Sequence, residues 1–243
     1  MKKTALFASL MLISSASLAI DIGGIRLGDE LSAAQERIAE LLPGATATPV
    51  SVRFKVALGE HGIRSTGEFT AWIYTLRTSS TSTTSWAISA SPDTGKVWLI
   101  THGKFLPKDG RMPLTQFKES LARFGQVSDS IERLNAGTSK LYAQTWAKNA
   151  RGGDLLPPNN QCAGHFEKMH MKNLVGRFHV PTEINPRCAA AYGASAAGSE
   201  GTVEHYDVWA SDPGAFQQWY DRLASEKQSR LDAEAARSVK PAF

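Results

Sequence analysis

The chain has 243 residues, of which 42% are hydrophobic and 21% are charged, a balance typical of a protein that buries a hydrophobic core. Its net charge is +4, and Lys2 and Lys3 near the N-terminus supply two of those charges. The remaining charge is spread without a basic run or interleaved aromatic residues, which argues against a nucleic-acid-binding protein.

The first nineteen residues, MKKTALFASLMLISSASLA, have the order of a secretory signal peptide. A basic start at Lys2 and Lys3 precedes an apolar centre at residues 5–13 and a small-x-small cleavage site that ends at Ala19. The apolar centre is too short for a membrane anchor, and no later run reaches the roughly 20 residues needed to span a bilayer. The sequence therefore predicts a periplasmic or secreted protein without a stable membrane anchor.

The chain contains two cysteines, Cys162 and Cys188. Export places them in an oxidising compartment, where a pair of cysteines is expected to form a disulfide bond. In the chain-entropy model, a loop of this length stabilises the fold by about 3–4 kcal/mol. A disulfide between Cys162 and Cys188 is therefore predicted.

The first half of the mature chain predicts a helix followed by strands. Apolar residues recur at helical spacing before Pro43-Gly44, at Leu31, Ala34, Ile38 and Leu41. Ser32 and Gln35 form a capping-box pair at the start of this helix. Alternating or β-branched sequence predicts strands at residues 50–58, 68–77, 85–90 and 96–102. A turn at Asp93-Thr94-Gly95 joins the last two strands.

The second half begins in a similar way. An amphipathic helix at residues 114–124 aligns with the first helix at an offset of 83 residues, and strands follow at 140–147, 188–194 and 202–210. Asp212-Pro213 has the residue types that begin a final amphipathic helix. We predict an α+β fold with two helix-plus-antiparallel-sheet units, residues 20–108 and 109–243. Whether these units are a true duplication stays open.

The stretch GIRLGDELSAAQERIAELLPG, within residues 23–44, resembles the opening of small bacterial envelope proteins of the SmpA/OmlA type. In those proteins, a Gly-x-x-Leu/Val-Gly stretch precedes a capped helix and an antiparallel sheet. A tandem of such units is similar to the β-lactamase-inhibitor protein fold. This chain departs from the assembly lipoproteins because it has no lipidation cysteine, and Asp29-Glu30 stands where a Met-Ser/Thr pair is usual. The resemblance implies non-enzymatic binding through the sheet surface.

Hydrolase motifs are incomplete. Asp93-Thr94-Gly95 is the tripeptide of aspartic proteases, but it occurs once, whereas that chemistry needs two carboxylates. The segment around Ser195 is similar to a nucleophile elbow, except that Ala197 replaces a required glycine. No phosphate-binding glycine loop and no cofactor motif is present. The sequence predicts that the protein is not an enzyme, and a hydrolase that joins Ser195 to His205 stays an alternative.

One segment has metal-binding residue types. His165 and His170 are five residues apart, so they do not have the four-residue spacing of a zinc-protease helix. Met169 and Met171 share a strand face, and with Cys162 they offer soft ligands for copper. A disulfide would remove Cys162 from that set. No metal or cofactor is predicted, and copper binding between His165 and Met171 is kept as an alternative.

Aromatic residues in the first half point to a binding surface. If Val97 and Leu99 pack under the first helix, alternation leaves four side chains on the open face: Trp72, Tyr74, Trp98 and His102. Partly exposed aromatic surfaces are common anchors of protein interfaces. We therefore expect binding to a protein partner through these residues, as an inhibitor, an immunity factor or an envelope accessory.

The leader gives the first testable expectation. Removal near Ala19 leaves a mature protein that begins close to Ile20, because the small-x-small site directs cleavage there. Intact-mass spectrometry of the exported protein measures this directly. An intact Met1 or a lipidated N-terminus would contradict the assignment.

Overall fold

The computed structural model describes residues 21–59, 63–125, 140–155 and 187–238. The predicted signal peptide, Cys162 and the segment between His165 and Met171 lie outside these residues. Export, the disulfide and copper binding therefore stay predictions. Cys188 itself is buried, with 5% of its surface exposed.

The described chain alternates between strands and helices as the sequence predicts. The elements in order are β1 (Asp21–Ile22), β2 (Ile25–Arg26), α1 (Leu31–Leu41), β3 (Thr46–Leu58), β4 (Ile63–Arg77), β5 (Thr83–Ala90), β6 (Val97–Phe105), β7 (Met112–Pro113), α2 (Leu114–Leu121), β8 (Lys140–Lys148), β9 (Ala190–Ser199), β10 (Thr202–Ser211) and α3 (Pro213–Ser238). A 3₁₀ turn at Ala122–Phe124 extends α2. The α+β class with a C-terminal helix is confirmed, and the predicted elements match within a few residues at most ends.

One antiparallel sheet of eight strands forms the centre of the fold. Its order is β3-β4-β5-β6-β10-β9-β8, and the short β7 pairs with the far end of β10. β6 and β10, the last strands of the two halves, lie side by side, with His102 opposite Val208. The strands of both halves therefore belong to a single sheet.

Each face of the sheet is covered by helices. On one side, which we call the paired-helix face, α1 and α2 pack on a core that contains Trp86, Ile100 and Tyr192. On the other side, the C-terminal-helix face, α3 packs on a second core around Phe54 and Phe69. Alternation along each strand divides the apolar side chains between these two cores.

A bulge in β6 changes this alternation. Ser89 of β5 lies opposite Leu99, whereas Ala90 lies opposite Val97, so Trp98 is the extra residue. As a result, Val97 joins the paired-helix core, and Trp98 and Leu99 both join the C-terminal-helix core. The expectation that Val97 and Leu99 share a face beneath the first helix is wrong, because the bulge is not visible in the alternation.

Trp98 is a core residue. It is 1% exposed, and its ring lies 5.5 Å from Phe69, 5.3 Å from Phe216 and 5.3 Å from Trp219, measured between ring centroids. Edge-to-face and tilted contacts of this kind stabilise aromatic clusters beyond the area they bury. The prediction that Trp98 lies on an open binding face is therefore wrong.

The helix starts differ in how they are capped. Asp212 caps α3 as predicted, since its Oδ1 accepts a hydrogen bond from the Ala215 backbone N–H at 2.8 Å. The capping box predicted at Ser32 does not form, because the N-cap of α1 is Glu30, two residues earlier. There the Leu31 N–H donates to the Gly95 carbonyl at 3.1 Å, so the hairpin turn supplies the acceptor.

Truncation of Trp98 tests its place in the core. We expect Trp98→Ala to lower the free energy of unfolding by about 3–5 kcal/mol, because it leaves a cavity within the aromatic cluster. Urea denaturation measures the change. Leu231→Ala on α3, where the side chain is 37% exposed, is the matched control and should cost less than about 0.5 kcal/mol. Equal, small losses in both variants would contradict the core assignment.

Candidate functional site

A cleft of about 660 Å³ opens on the paired-helix face between α1 and α2. Its floor is the sheet at the junction of β5, β6 and β10. One wall is the end of α1 with the β1–β2 hairpin, and the other wall is α2 with its 3₁₀ extension. The lining residues are Asp21, Ile22, Gly23, Leu41, Leu42, Thr84, Trp86, His102, Lys104, Met112, Gln116, Phe117, Ser120, Leu121, Arg123, Phe124, Tyr206 and Val208.

The floor is set by the register of three strands. Trp86 of β5 and Val208 of β10 lie on either side of His102. The Trp86 and His102 rings stack with centroids 4.4 Å apart and an angle of 29° between their planes. The Tyr206 hydroxyl lies 3.5 Å from His102 Nε2, at the limit of a hydrogen bond. These contacts hold the imidazole in a fixed position.

The walls are mainly apolar. Phe117, Leu121 and Phe124 form the α2 side, because their spacing places them on one face of the helix and its extension. On the opposite side, Gly23 comes so close to Trp86 that an added Cβ would lie 2.6 Å from ring atom Cη2. Gly23 also has φ of +64°, a conformation that favours glycine. The hairpin therefore closes directly onto the Trp86 ring.

The cleft carries an excess of positive charge. Lys104 lies on the floor strand β6 and Arg123 lies on the α2 side, with its guanidinium carbon 4.9 Å from the Phe124 ring centroid. Within the described part of the chain, neither cation forms an ion pair with a carboxylate. Asp21 is the acidic lining residue, and its Oδ1 already accepts a hydrogen bond from the Gly24 N–H at 3.0 Å.

Burial controls the ionisation of the two polar rings on the floor. It lowers the pKa of His102 to about 4, with a smaller opposing effect of the Ser85 backbone. The same cause, loss of water around the charged form, raises the pKa of Tyr206. His102 is therefore neutral at pH 7, and the positive charge of the cleft comes from Lys104 and Arg123.

Of the four residues predicted to bind a partner, His102 is the one that lines the cleft. Tyr74 does share the paired-helix face, but it is 4% exposed and interacts with Gln35 of α1. Trp72 is half-buried at the edge of the same core. The prediction that Trp72 and Tyr74 lie on an open face is wrong, because α1 covers that face of the sheet.

Sequence reasoning missed Trp86, Lys104, Arg123 and Tyr206 as cleft residues. A partial signal for Trp86 was present, because the predicted turn at Asp93-Thr94-Gly95 pairs β5 with β6. The bulge at Trp98 then shifts this register by one residue and brings Trp86 opposite His102. The position of Tyr206 had no such signal. It depends on the pairing of β6 with β10, which are separated by about a hundred residues of chain.

The hydrolase alternative gains no support from the strand register. Ser195 lies opposite Asp207, and His205 lies opposite Ala197. His205 Nε2 is 3.4 Å from Asp207 Oδ2, so the carboxylate, not the imidazole, stands beside the serine. A serine nucleophile needs the imidazole next to it, with the carboxylate behind. Asp93-Thr94-Gly95 is a hairpin turn, as predicted, in which the Gly95 N–H donates to the Ser91 carbonyl at 2.9 Å.

Comparisons with known proteins find no match for this chain among protein-family models, curated proteins or solved structures. The resemblance to small envelope proteins and to the β-lactamase-inhibitor fold therefore stays a prediction. Among the described residues, no group of three or more histidine, cysteine or acidic side chains is placed to hold a metal ion. No helix in that part of the chain has the length and apolar character required to cross a membrane.

The low pKa of His102 predicts a pH dependence of stability. The unfolded chain protonates this histidine near pH 6.5, whereas the folded protein does so only near pH 4. The free energy of unfolding therefore falls as the pH drops from about 6.5 to about 4. Because each unit of pKa difference corresponds to about 1.36 kcal/mol, the total loss is up to about 3 kcal/mol. Urea denaturation from pH 7 to pH 4 measures the loss. His102→Phe, which keeps a ring against Trp86, should show a correspondingly shallower fall; identical slopes would contradict the assignment.

Proposed function

We propose that the chain is an exported, non-enzymatic binding protein that recognises a protein partner through the cleft between α1 and α2. The observation that carries this proposal is the cleft itself, an apolar depression with polar groups at its rim. The signal-peptide pattern of the first nineteen residues supports a place in the periplasm or outside the cell. Its role there would be that of an inhibitor, an immunity factor or an envelope accessory.

The distribution of exposure in the cleft suits the capture of a side chain from a larger partner. Trp86 on the floor and Phe117 and Phe124 on the α2 wall are buried, whereas the rim is exposed at Leu41 and Gln116. Protein interfaces concentrate their binding energy where an anchor side chain fills a pocket surrounded by more polar contacts. An open rim lets the anchor remain attached to a chain that continues over the surface.

The proposal includes the two-unit organisation, with residues 20–108 and 109–243 as the units. In each unit a helix precedes the long strands, and both helices cover the same sheet face. The last strands of the units, β6 and β10, pair antiparallel at the centre of the sheet. This is the arrangement that an approximate twofold axis between two related units produces. The cleft then lies on the junction between the units.

A steric block tests the function. Ser120 lines the cleft from an exposed position on α2, so Ser120→Trp should fill the opening without disturbing the core. Glu119→Trp adds the same ring one residue away, at an exposed position that does not line the cleft. Each mature protein is used as bait in periplasmic extract, and captured proteins are quantified by mass spectrometry.

We expect a partner that the wild type and Glu119→Trp both retain and that Ser120→Trp loses at least tenfold, an effect comparable with losing one interface hot spot. Circular dichroism and the thermal transition of both variants provide the folding control. A partner retained equally by all three proteins would overturn the cleft as the recognition site.

A further inference from the structure

We propose that the segment recognised by the cleft carries an aromatic side chain with an acidic residue next to it. This inference rests on the proposed function and specifies the chemistry of its partner. It depends on two features of the cleft. The floor and the α2 wall carry aromatic rings, and the two lining cations, Lys104 and Arg123, outnumber the one lining carboxylate, Asp21.

The floor and the α2 wall of the cleft favour an aromatic anchor. Trp86 forms part of the floor, and Phe117 and Phe124 form the α2 wall. Offset and edge-to-face arrangements of rings are favourable, and a ring entering this space meets both a floor and a wall of aromatic groups. The β1–β2 hairpin fixes the position of Trp86, because Gly23 has no side chain and its backbone packs directly against the indole ring. The pocket is thus built before the ligand arrives.

The charged side chains of the cleft favour an acidic residue next to the aromatic anchor. Lys104 projects from the floor strand in a half-buried position, and Arg123 stands exposed on the α2 wall. Their ammonium and guanidinium groups form no ion pair within the described residues, and they are the cleft groups that would pair with a carboxylate of the partner. A basic ligand would meet these two cations and the one lining carboxylate, Asp21, so the charge it encounters is net positive. Complementary charge of this kind selects partners and raises their association rate.

The half-buried position of Lys104 strengthens its attraction for a carboxylate. Its strand neighbours across the floor are Thr84 and Tyr206, whose hydroxyls are polar but uncharged at pH 7. Water screens a charge less in such a position than on an open surface. Lys104 is therefore the stronger determinant of acidic preference, and the exposed Arg123 adds reach at the rim.

The test is selection from a displayed library of random seven-residue peptides on the immobilised mature protein. The wild type should enrich peptides in which Asp or Glu lies within two positions of Phe, Tyr or Trp. Lys104→Gln/Arg123→Gln should lose the acidic preference. Lys55→Gln/Arg230→Gln makes the same charge change at exposed positions that do not line the cleft, and it should select the same peptides as the wild type.

A second measurement needs no variant of the protein. The most enriched peptide and its Glu→Gln or Asp→Asn counterpart are compared on the wild type by fluorescence anisotropy. The neutral peptide should bind about tenfold more weakly, as expected for the loss of partly exposed ion pairs. Affinity for the acidic peptide should also fall as salt rises.

The outcomes separate this inference from the function on which it rests. Enriched aromatic peptides without acidic preference, or an acidic peptide unaffected by neutralisation, would overturn the inference and leave the cleft as a binding site. Enrichment of the same peptides by Ser120→Trp, or no enrichment by the wild type, would overturn the proposed function itself. Two results together would support both the inference and the proposed function. Lys104→Gln/Arg123→Gln should lose the acidic preference while Lys55→Gln/Arg230→Gln keeps it, and the neutral peptide should bind about tenfold more weakly.

Discussion

The pairing of β6 with β10 is the contact on which the rest of the molecule depends. It joins the two halves of the chain into one sheet and places His102 opposite Val208 and Lys104 opposite Tyr206. Each half contributes one helix to the same face, so the two helices stand on either side of this seam. Since they cover the sheet without closing over the seam, the cleft is a consequence of the junction and draws its floor from both halves.

The bulge at Trp98 is the second constraint, because it decides which core each residue of β6 enters. One extra residue turns Trp98 and Leu99 toward α3 and leaves Ile100 beneath the paired helices. Without it, a bulky indole would have to fit under α1, and the aromatic cluster of Phe69, Phe216 and Trp219 would lose its central ring. The bulge therefore allows a single sheet to support a large core on each face.

Local pattern predicts the elements of this fold, and long-range pairing explains most of what it misses. The spacing of Leu31, Ala34 and Ile38 locates α1, and period-two alternation locates the strands, because both signals lie within a few residues of chain. Which face α1 covers depends on how the strands pair and on the bulge, and neither is encoded locally. For this reason, Trp72 and Tyr74 were expected on an open face. Lys104 and Tyr206 meet only when two distant strands pair, so this part of the cleft had no local signature.

The polar groups of the cleft are better suited to holding a ligand than to activating one. The Ser120 hydroxyl donates a hydrogen bond to the Phe117 carbonyl at 2.6 Å, so its proton is engaged by the helix that carries it. His102 has its Nε2 next to Tyr206, and a histidine with a pKa of about 4 is a weak general base at neutral pH. The same burial that weakens this histidine as a base keeps it uncharged at pH 7. Its ring can then form part of an aromatic floor, and under the proposed function the attraction for a partner comes from Lys104 and Arg123.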